Sequence, residues 1–340
     1  MEAQQNPAEG KRLAEGIVSN TDITDRREDE PFFYLIDHCF AIKGKGTIVT
    51  GTVLQGKIKK GDDIELPEIG FKNKIKSMQM FKKDIQEVRR GDRVGMLINA
   101  LLPDQLERGI GTKPGYLKKS NTIIANLQKV RYWKHEIKSK MKYHVTVGHL
   151  TTMAKLFLLK GKSEGPLVLG ETYESVDEIG ESEKEIDSHV HAVLFLEKPC
   201  YLREESFFIG SRLELSIDTK ECRMAFCGTA QHLRMIDEGA ELDDITLTKA
   251  KKNEGVIERV ANDGGLIMKD MFTKESKLQQ FIGKEVKIEG LDIPGKIQGT
   301  FGNAGKIRVT LNNVPAPGQL EGIEGKKVTL EYVKVSKLRA

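Results

Sequence analysis

The sequence predicts a mainly β protein divided into two or three small domains, each a closed barrel or a sandwich. Short runs rich in β-branched and aromatic residues recur at even spacing along most of the chain. Glycine turns such as "KKGD" (residues 59–62) and "RRGD" (residues 89–92) separate them, as in barrels and sandwiches. At 340 residues the chain has room for two or three domains, each able to bury its own core.

In chain order, residues 8–18, "AEGKRLAEGIV", predict one short helix, and the charged "NTDITDRREDE" that follows predicts a linker. Strands begin after Pro31 and are expected over residues 33–42, 47–55, 71–80 and 93–98. A second β series runs from Thr122 to about Leu233 and includes "TIIANLQKV", "KYHVTVGH", "AKLFLL", "HAVLFLE" and "RMAFCGTA". Residues 161–188 interrupt it. They hold nine Asp/Glu against two Lys, a net charge of −7, and few large apolar residues, which predicts a mobile acidic loop. A third β series, with "GVIERV", "KEVKIEG", "GKIRVTL" and "KKVTLEYVKV", fills residues 246–340. That last stretch carries seventeen Lys/Arg and eleven Asp/Glu, a net of +6. Such an excess fits either a phosphate backbone or a merely soluble β-domain.

Several function classes drop out on motif grounds. "KGKGT" (residues 43–47) ends like a phosphate loop, but its lysine precedes the last glycine and the β-branched "TIVTGTVLQG" follows. It reads as a hairpin turn. No segment matches G-x-x-x-x-G-K-[ST], and no N-K-x-D run is present to read guanine. The chain should therefore neither bind nor hydrolyse GTP by itself; a fluorescent GTP analogue titrated into it is expected to give a flat signal, and micromolar magnesium-dependent binding would overturn this. Cys39, Cys200, Cys222 and Cys227 show no C-x-x-C spacing, which suggests buried thiols in a reducing compartment and no zinc site. His189 and His191 share a strand face without nearby partner ligands, so no metal is expected there. The start, "MEAQQNPAEG", has no signal-peptide pattern, and no run of 18 apolar residues predicts a membrane span.

Residues 31–109 resemble the second domain of translational GTPases of the elongation factor Tu type, through "HCFAIKGKGTIVTGTVLQGKIKKGDDIELP", "KIKSMQMFKKDIQEVRRGDRVGM" and "LERG". More narrowly, "IDHCFAIKGKGT", "KSMQMF", "LLPDQLERG", "KYHVTVGH", "FFIGSRLE" and "CRMAFCGTA" are similar to the eukaryotic selenocysteine-specific elongation factors, and "GVIERV" and "FGNAGKIRV" extend the likeness into the last domain. The resemblance implies tandem β-barrels followed by a C-terminal β-rich domain: a remnant helix and linker at 1–30, an elongation factor Tu domain 2-like barrel at 31–119, a domain 3-like barrel at 120–240 and a basic β domain at 246–340. In that family an N-terminal GTPase domain binds GTP and magnesium; only its end is expected within residues 8–30 here, so this chain carries no cofactor.

The resemblance further implies delivery of selenocysteinyl-tRNA to the ribosome at UGA codons, with the RNA-protein complex at the selenocysteine insertion element as partner. It places the protein in the cytoplasm, with the nucleus as a second compartment. Such a factor must reject seryl-tRNA, which differs by oxygen for selenium. A selenol ionises below neutral pH and a serine hydroxyl does not, so a cationic pocket separates them; each charge-assisted hydrogen bond contributes about 1.5–3 kcal/mol. The resemblance points to Asp37, His38 and Arg108 as that pocket, with Asp37 either orienting His38 or reading the α-ammonium group. Strand neighbours face opposite ways, so Asp37 and His38 can meet only if the strand bulges or ends there. Lys249, Lys251, Lys252, Lys326 and Lys327 are the candidates for RNA contact. The competing reading is a β-barrel RNA- or ribosome-binding module related to initiation factor 2 gamma, without an aminoacyl pocket.

Overall fold

The computed structural model describes residues 28–161, 165–180, 190–273, 275–302, 305–313, 320 and 322–340. The expected helix at 8–18 and parts of the expected acidic loop lie outside them. The chain divides into two compact units, one holding residues 1–167, 176–240 and 340, the other 168–175 and 241–339.

The first unit begins with β1 (Phe33–Ile42), β2 (Gly46–Gln55), β3 (Lys57–Lys59), β4 (Asp63–Leu66), β5 (Phe71–Met80), β6 (Lys83–Ile85), β7 (Glu87–Arg89), β8 (Arg93–Ile98) and β9 (Gly109–Thr112). Strands pair in the order β4-β9-β1-β2-β8-β5, and β5 returns to β4, so the ring closes as a barrel. Closure removes the exposed edges that an open sheet of this length would carry. Alternate residues of each strand enter the barrel: Tyr34 and Ile36 from β1, Val49 and Val53 from β2, Met96 and Ile98 from β8. The turn after β1 is the predicted hairpin, with the Lys45 N–H donating to the Ile42 carbonyl at 3.0 Å.

A second barrel follows, built from β10 (Lys118–Lys129), β12 (Lys142–Val147), β13 (Leu150–Lys160), β16 (Val190–Leu202), β17 (Phe207–Ser211) and β18 (Met224–Arg234), with the short β11 (Ile137–Lys138) and β15 (Glu178–Ile179) paired beside it. The ring runs β12-β17-β18-β10-β16-β13 and closes where β13 meets β12. Trp133, Tyr143, Phe208 and Phe226 form the centre of its core with Leu156, Leu158 and Leu194. Within this unit the barrels touch: the Arg203 guanidinium lies over the Phe33 ring at 5.4 Å.

The second unit contains β14 (Thr172–Val176 at its start), β19 (Glu241–Val260), β20 (Leu266–Lys269), β21 (Glu285–Ile288), β22 (Leu291–Phe301), β23 (Lys306–Leu311) and β24 (Lys327–Arg339). Pairing runs β19-β20-β23-β22-β21-β24 and returns to β19. Ile257, Leu266, Met268, Phe281, Val309 and Leu330 make its core. β19 starts at Glu241, ahead of the expected boundary at 246.

One expectation is corrected. Residues 161–188 were expected as a mobile acidic loop, yet β14 and β15 lie inside that range. Thr172, Tyr173 and Glu174 pair in parallel with Thr246, Leu247 and Thr248 of β19, and the Gly170 N–H donates to the Asp244 carbonyl at 2.7 Å. The physical reason is the placing of a few apolar residues. Leu167, Tyr173 and Ile179 are buried, and the Tyr173 hydroxyl donates to the Val168 carbonyl at 2.9 Å. A net charge averaged over the segment hides these anchors, while the acidic side chains between them face water.

Candidate aminoacyl pocket and basic ribbon

Strand β1 changes phase in its middle. Ile36 pairs with Gly51 and His38 with Thr50, so Asp37 is an extra residue with no partner, a β-bulge. Before it, Tyr34 and Ile36 point into the core; after it, Cys39 packs against the core while His38 and Phe40 are exposed. Unbroken alternation would have sent His38 inward behind Ile36. The bulge turns a polar pair to the outside and keeps the barrel filled, which meets the condition for Asp37 and His38 to stand together at one rim.

Arg108 arrives from the other side. Leu101 and Leu106 are buried and pin both ends of a loop that makes a single 3-10 turn at Pro103–Gln105. The Leu102 N–H donates to Gln105 Oε1 at 3.4 Å, and proline supplies the first turn residue, where no N–H is needed. Strand β9 then pairs antiparallel with β1, ending at Gly109 opposite Ile36. Arg108 is the residue before Gly109, one position beyond that ladder. Glu68 holds this register: its Oε2 accepts from the Ile110 N–H at 3.0 Å. Burial pushes the Glu68 carboxyl up, and that backbone bond draws it back down.

The electrostatics of the rim differ from the simplest expectation. Asp37 Oδ2 is 2.7 Å from Arg93 Nη1, and Oδ1 is 3.7 Å from His149 Nε2. Arg93 starts β8, which pairs with β2, and its guanidinium also donates to Thr52 Oγ1 at 3.3 Å. His149 sits in the two-residue turn between β12 and β13, where Gly148 adopts a φ of 58°. No hydrogen bond joins Asp37 to His38 among the described residues, and the side chains of His38 and Arg108 are exposed with no ion pair or hydrogen bond there. Below the rim, the Tyr34 hydroxyl donates to the Val94 carbonyl at 2.8 Å; burial, and then the charge of Asp37, hold it protonated. Arg93 and His149 were not singled out in the sequence. "GDRVGM" was read as a turn and a strand, and only the barrel pairing carries Arg93 to Asp37.

Four of the five lysines expected to contact RNA lie on one antiparallel ribbon, β19 with β24, and Lys326 directly precedes β24. They do not form one cluster. Lys249 and Lys251 share a face, with Lys334 directly across from Lys249 and Tyr332 across from Lys251. Lys252 points to the other face, opposite Glu331, and pairs with Glu254 at 2.7 Å. Lys327 stands opposite Val256, and the Ile257 N–H donates to the Lys326 carbonyl at 3.1 Å, seven residues of β19 from Lys249 or roughly 23 Å along the strand. Sequence reading missed Lys334, which the ribbon places on the Lys249 face. Among the described residues, no three metal-ligating side chains converge, and no helix is long and apolar enough to cross a membrane.

Three family models match: elongation factor Tu domain 2 over residues 46–110, the third domain of eukaryotic selenocysteine-specific elongation factors over 124–228, and the C-terminal RIFT domain of the same factors over 244–335. The mouse selenocysteine-specific elongation factor is 31% identical over 95% of this chain, which covers 59% of that protein. The factor of the same name from Methanocaldococcus jannaschii is 28% identical over 95% of the chain and is covered to 63%. Crystal structures of translation elongation factor SelB from Methanococcus maripaludis, apo and with a GTP analogue, superpose with TM-scores of 0.67 and 0.68 at 27% identity, covering 96% of the chain and 66% and 67% of those structures. The chain thus spans about three fifths of the length of the curated relatives it matches.

Proposed function

Because the chain belongs to the selenocysteine-specific elongation factor family, we propose that its first barrel reads the aminoacyl group of selenocysteinyl-tRNA and that the factor delivers this tRNA to the ribosome at UGA codons. The observation that carries the reading is the rim of the first barrel. A bulge interrupts β1 at Asp37 and leaves His38 exposed, and the exposed Arg108 directly precedes Gly109, which pairs with Ile36. An uncommitted guanidinium stays charged at any working pH and favours a selenolate over a neutral hydroxyl. Asp37 is already engaged by Arg93 and His149, so it is not free to orient His38 without giving up a stronger partner. Reading an α-ammonium group remains open to its second oxygen, where His149 stands 3.7 Å away. The direct test is to compare the binding of selenocysteinyl- and seryl-tRNA to the chain; equal affinities would remove the pocket from this rim.

GTP and magnesium belong to the GTPase domain of such factors. No segment of the 340 residues matches a phosphate loop, so none of them is assigned to either. The cytoplasm is the compartment in which such a factor acts.

The ribbon of the second unit is proposed to contact tRNA or the RNA-protein complex at the selenocysteine insertion element. Lys249, Lys251, Lys252, Lys326 and Lys327 supply the charge, within a net of +6 for residues 246–340. Phosphate contacts release counterions, so the affinity should fall steeply with salt. Changing the five lysines to glutamate is expected to weaken RNA binding at every sequence and to flatten the salt dependence by about one unit of slope per lost phosphate contact. A filter-binding series at several salt concentrations reads both, and an unchanged affinity at low salt would mean that the excess serves solubility alone.

A further inference from the structure

β10 enters the second barrel at Lys118 and leaves it at Lys129. Three connecting segments meet at that far end. The Val130 N–H donates to the Ala225 carbonyl at 2.9 Å, the Arg212 N–H to the Arg223 carbonyl at 2.8 Å, and His135 Nε2 lies 3.2 Å from Glu221 Oε2. Residues 130–136, 212–217 and 221–225 are thereby stitched into one surface. Its prominent side chains are apolar: Tyr132 is 71% exposed and Ile217 76%, and Leu213 and Met224 are exposed as well. The Ser216 hydroxyl accepts from the Asp218 N–H at 3.2 Å and opens a single 3-10 turn at Ile217–Thr219, which holds Ile217 out in water. Isolated exposed apolar residues need no explanation, but four large ones on one barrel end mark a surface that binds something. Beside them is a cleft of about 280 Å³, with Trp133, Met141 and Leu215 as its apolar lining and His135, Lys138 and Arg212 as its basic one.

Charge names the partner. Residues 130–140 and 211–224 hold seven Lys/Arg against four Asp/Glu. Every one of those carboxylates is engaged: Glu136 by Lys138 at 2.8 Å, Glu214 by Arg212, Glu221 by His135, and Asp218 by the Ser216 hydroxyl at 3.2 Å. The side chains of Arg131, Lys134, Lys140 and Lys220 are exposed and make no ion pair among the described residues. The surplus is positive, so the partner is acidic. RNA fits less well than protein. Single-stranded RNA is gripped by aromatic faces laid open for stacking. Here Trp133 is 3% exposed, with the His135 ring edge-on to it at 4.9 Å, and Leu213, Ile217 and Met224 offer no ring at all. Aliphatic side chains around an apolar cleft suit an apolar anchor. We infer that the far end of the second barrel docks an acidic peptide segment of a partner protein. An aliphatic or aromatic anchor of that segment enters the cleft over Trp133, and its flanking carboxylates meet Arg131 and Lys134. This site is separate from the rim of the first barrel and from the lysine ribbon.

The test begins with a random-peptide display library panned against the 340-residue chain. The enriched peptides are expected to carry Asp or Glu beside Leu, Ile or Phe. One of them, made synthetically, should shift the emission of Trp133, the single tryptophan of the chain, because that ring lines the cleft. Exchanging its anchor for serine, or its carboxylates for amides, should each weaken it about tenfold. Arg131→Glu/Lys134→Glu and Ile217→Ser/Met224→Ser should each cost about the same factor; all four positions are exposed, and circular dichroism matching the parent checks that the variants fold. On the unaltered chain, added salt should weaken the peptide, since the flanking charges are screened. No acidic class among the enriched peptides, an unmoved Trp133 emission, or undiminished binding to both double variants would overturn the site. A poly(uridine) strand that shifts the emission at lower concentration than the peptide would show a surface for RNA and overturn it as well.

Discussion

Replacing Arg108 by alanine is expected to reduce the preference for selenocysteinyl- over seryl-tRNA by about tenfold to a hundredfold. A selenolate loses a charge-assisted partner, a contribution of about 1.5–3 kcal/mol, whereas a hydroxyl loses a weak one. The guanidinium makes no ion pair among the described residues, so its removal leaves no stranded carboxylate and little cost to folding. His38→Ala should shift the ratio the same way but less, since an imidazole offers at most two donors where a guanidinium offers five. The measurement is the ratio of the two dissociation constants, taken for each variant at one ionic strength because the tRNA phosphates make both affinities depend on salt. Should Arg108→Ala and His38→Ala both leave that ratio where it was, selenium is not read at this rim, and "IDHCF" is an ordinary barrel edge.

Gly51→Ala is expected to destabilise the first barrel by about 3 kcal/mol or more. Gly51 pairs with Ile36, the last residue before the bulge, and the backbones approach so closely there that a Cβ would lie 1.8 Å from the Leu35 carbonyl oxygen and 3.0 Å from the Ile36 Cα. These are backbone atoms of the facing strand, so no rotamer change relieves the contact. The strands would have to part, and with them the bulge that presents Asp37 and His38. Urea unfolding followed by tyrosine and tryptophan fluorescence and circular dichroism reads the loss; a shift within about 0.5 kcal/mol of the parent would show that the β1–β2 approach is not needed. A milder variant that still folds should lose selectivity along with stability, because both depend on the same two strands.

Much of the first barrel is legible in its residues. β1, β5 and β8 run over the residues expected of them, because alternation with period two and flanking glycine turns are local signals. The bulge also leaves a trace: apolar positions fall at Tyr34, Ile36 and Cys39, a step of three where two would continue the strand. The acidic insertion was misread because its strands rest on a few buried residues that a charge average conceals. The lysines of the last domain were readable as a charge excess, yet their division between the two faces of a ribbon follows from the β19–β24 register. Local patterning thus accounts for the strands, the turns and the polar pair that interrupts β1. The tertiary structure alone decided which charges meet: Arg93 reaches Asp37 because ring closure seats β8 beside β2 and β2 beside β1, and His149 reaches it because the second barrel packs its β12–β13 turn there. Side-chain periodicity is set within a few residues, whereas the partner of a strand is chosen by which distant segments bury their apolar faces together, and no local pattern in the chain encodes that choice.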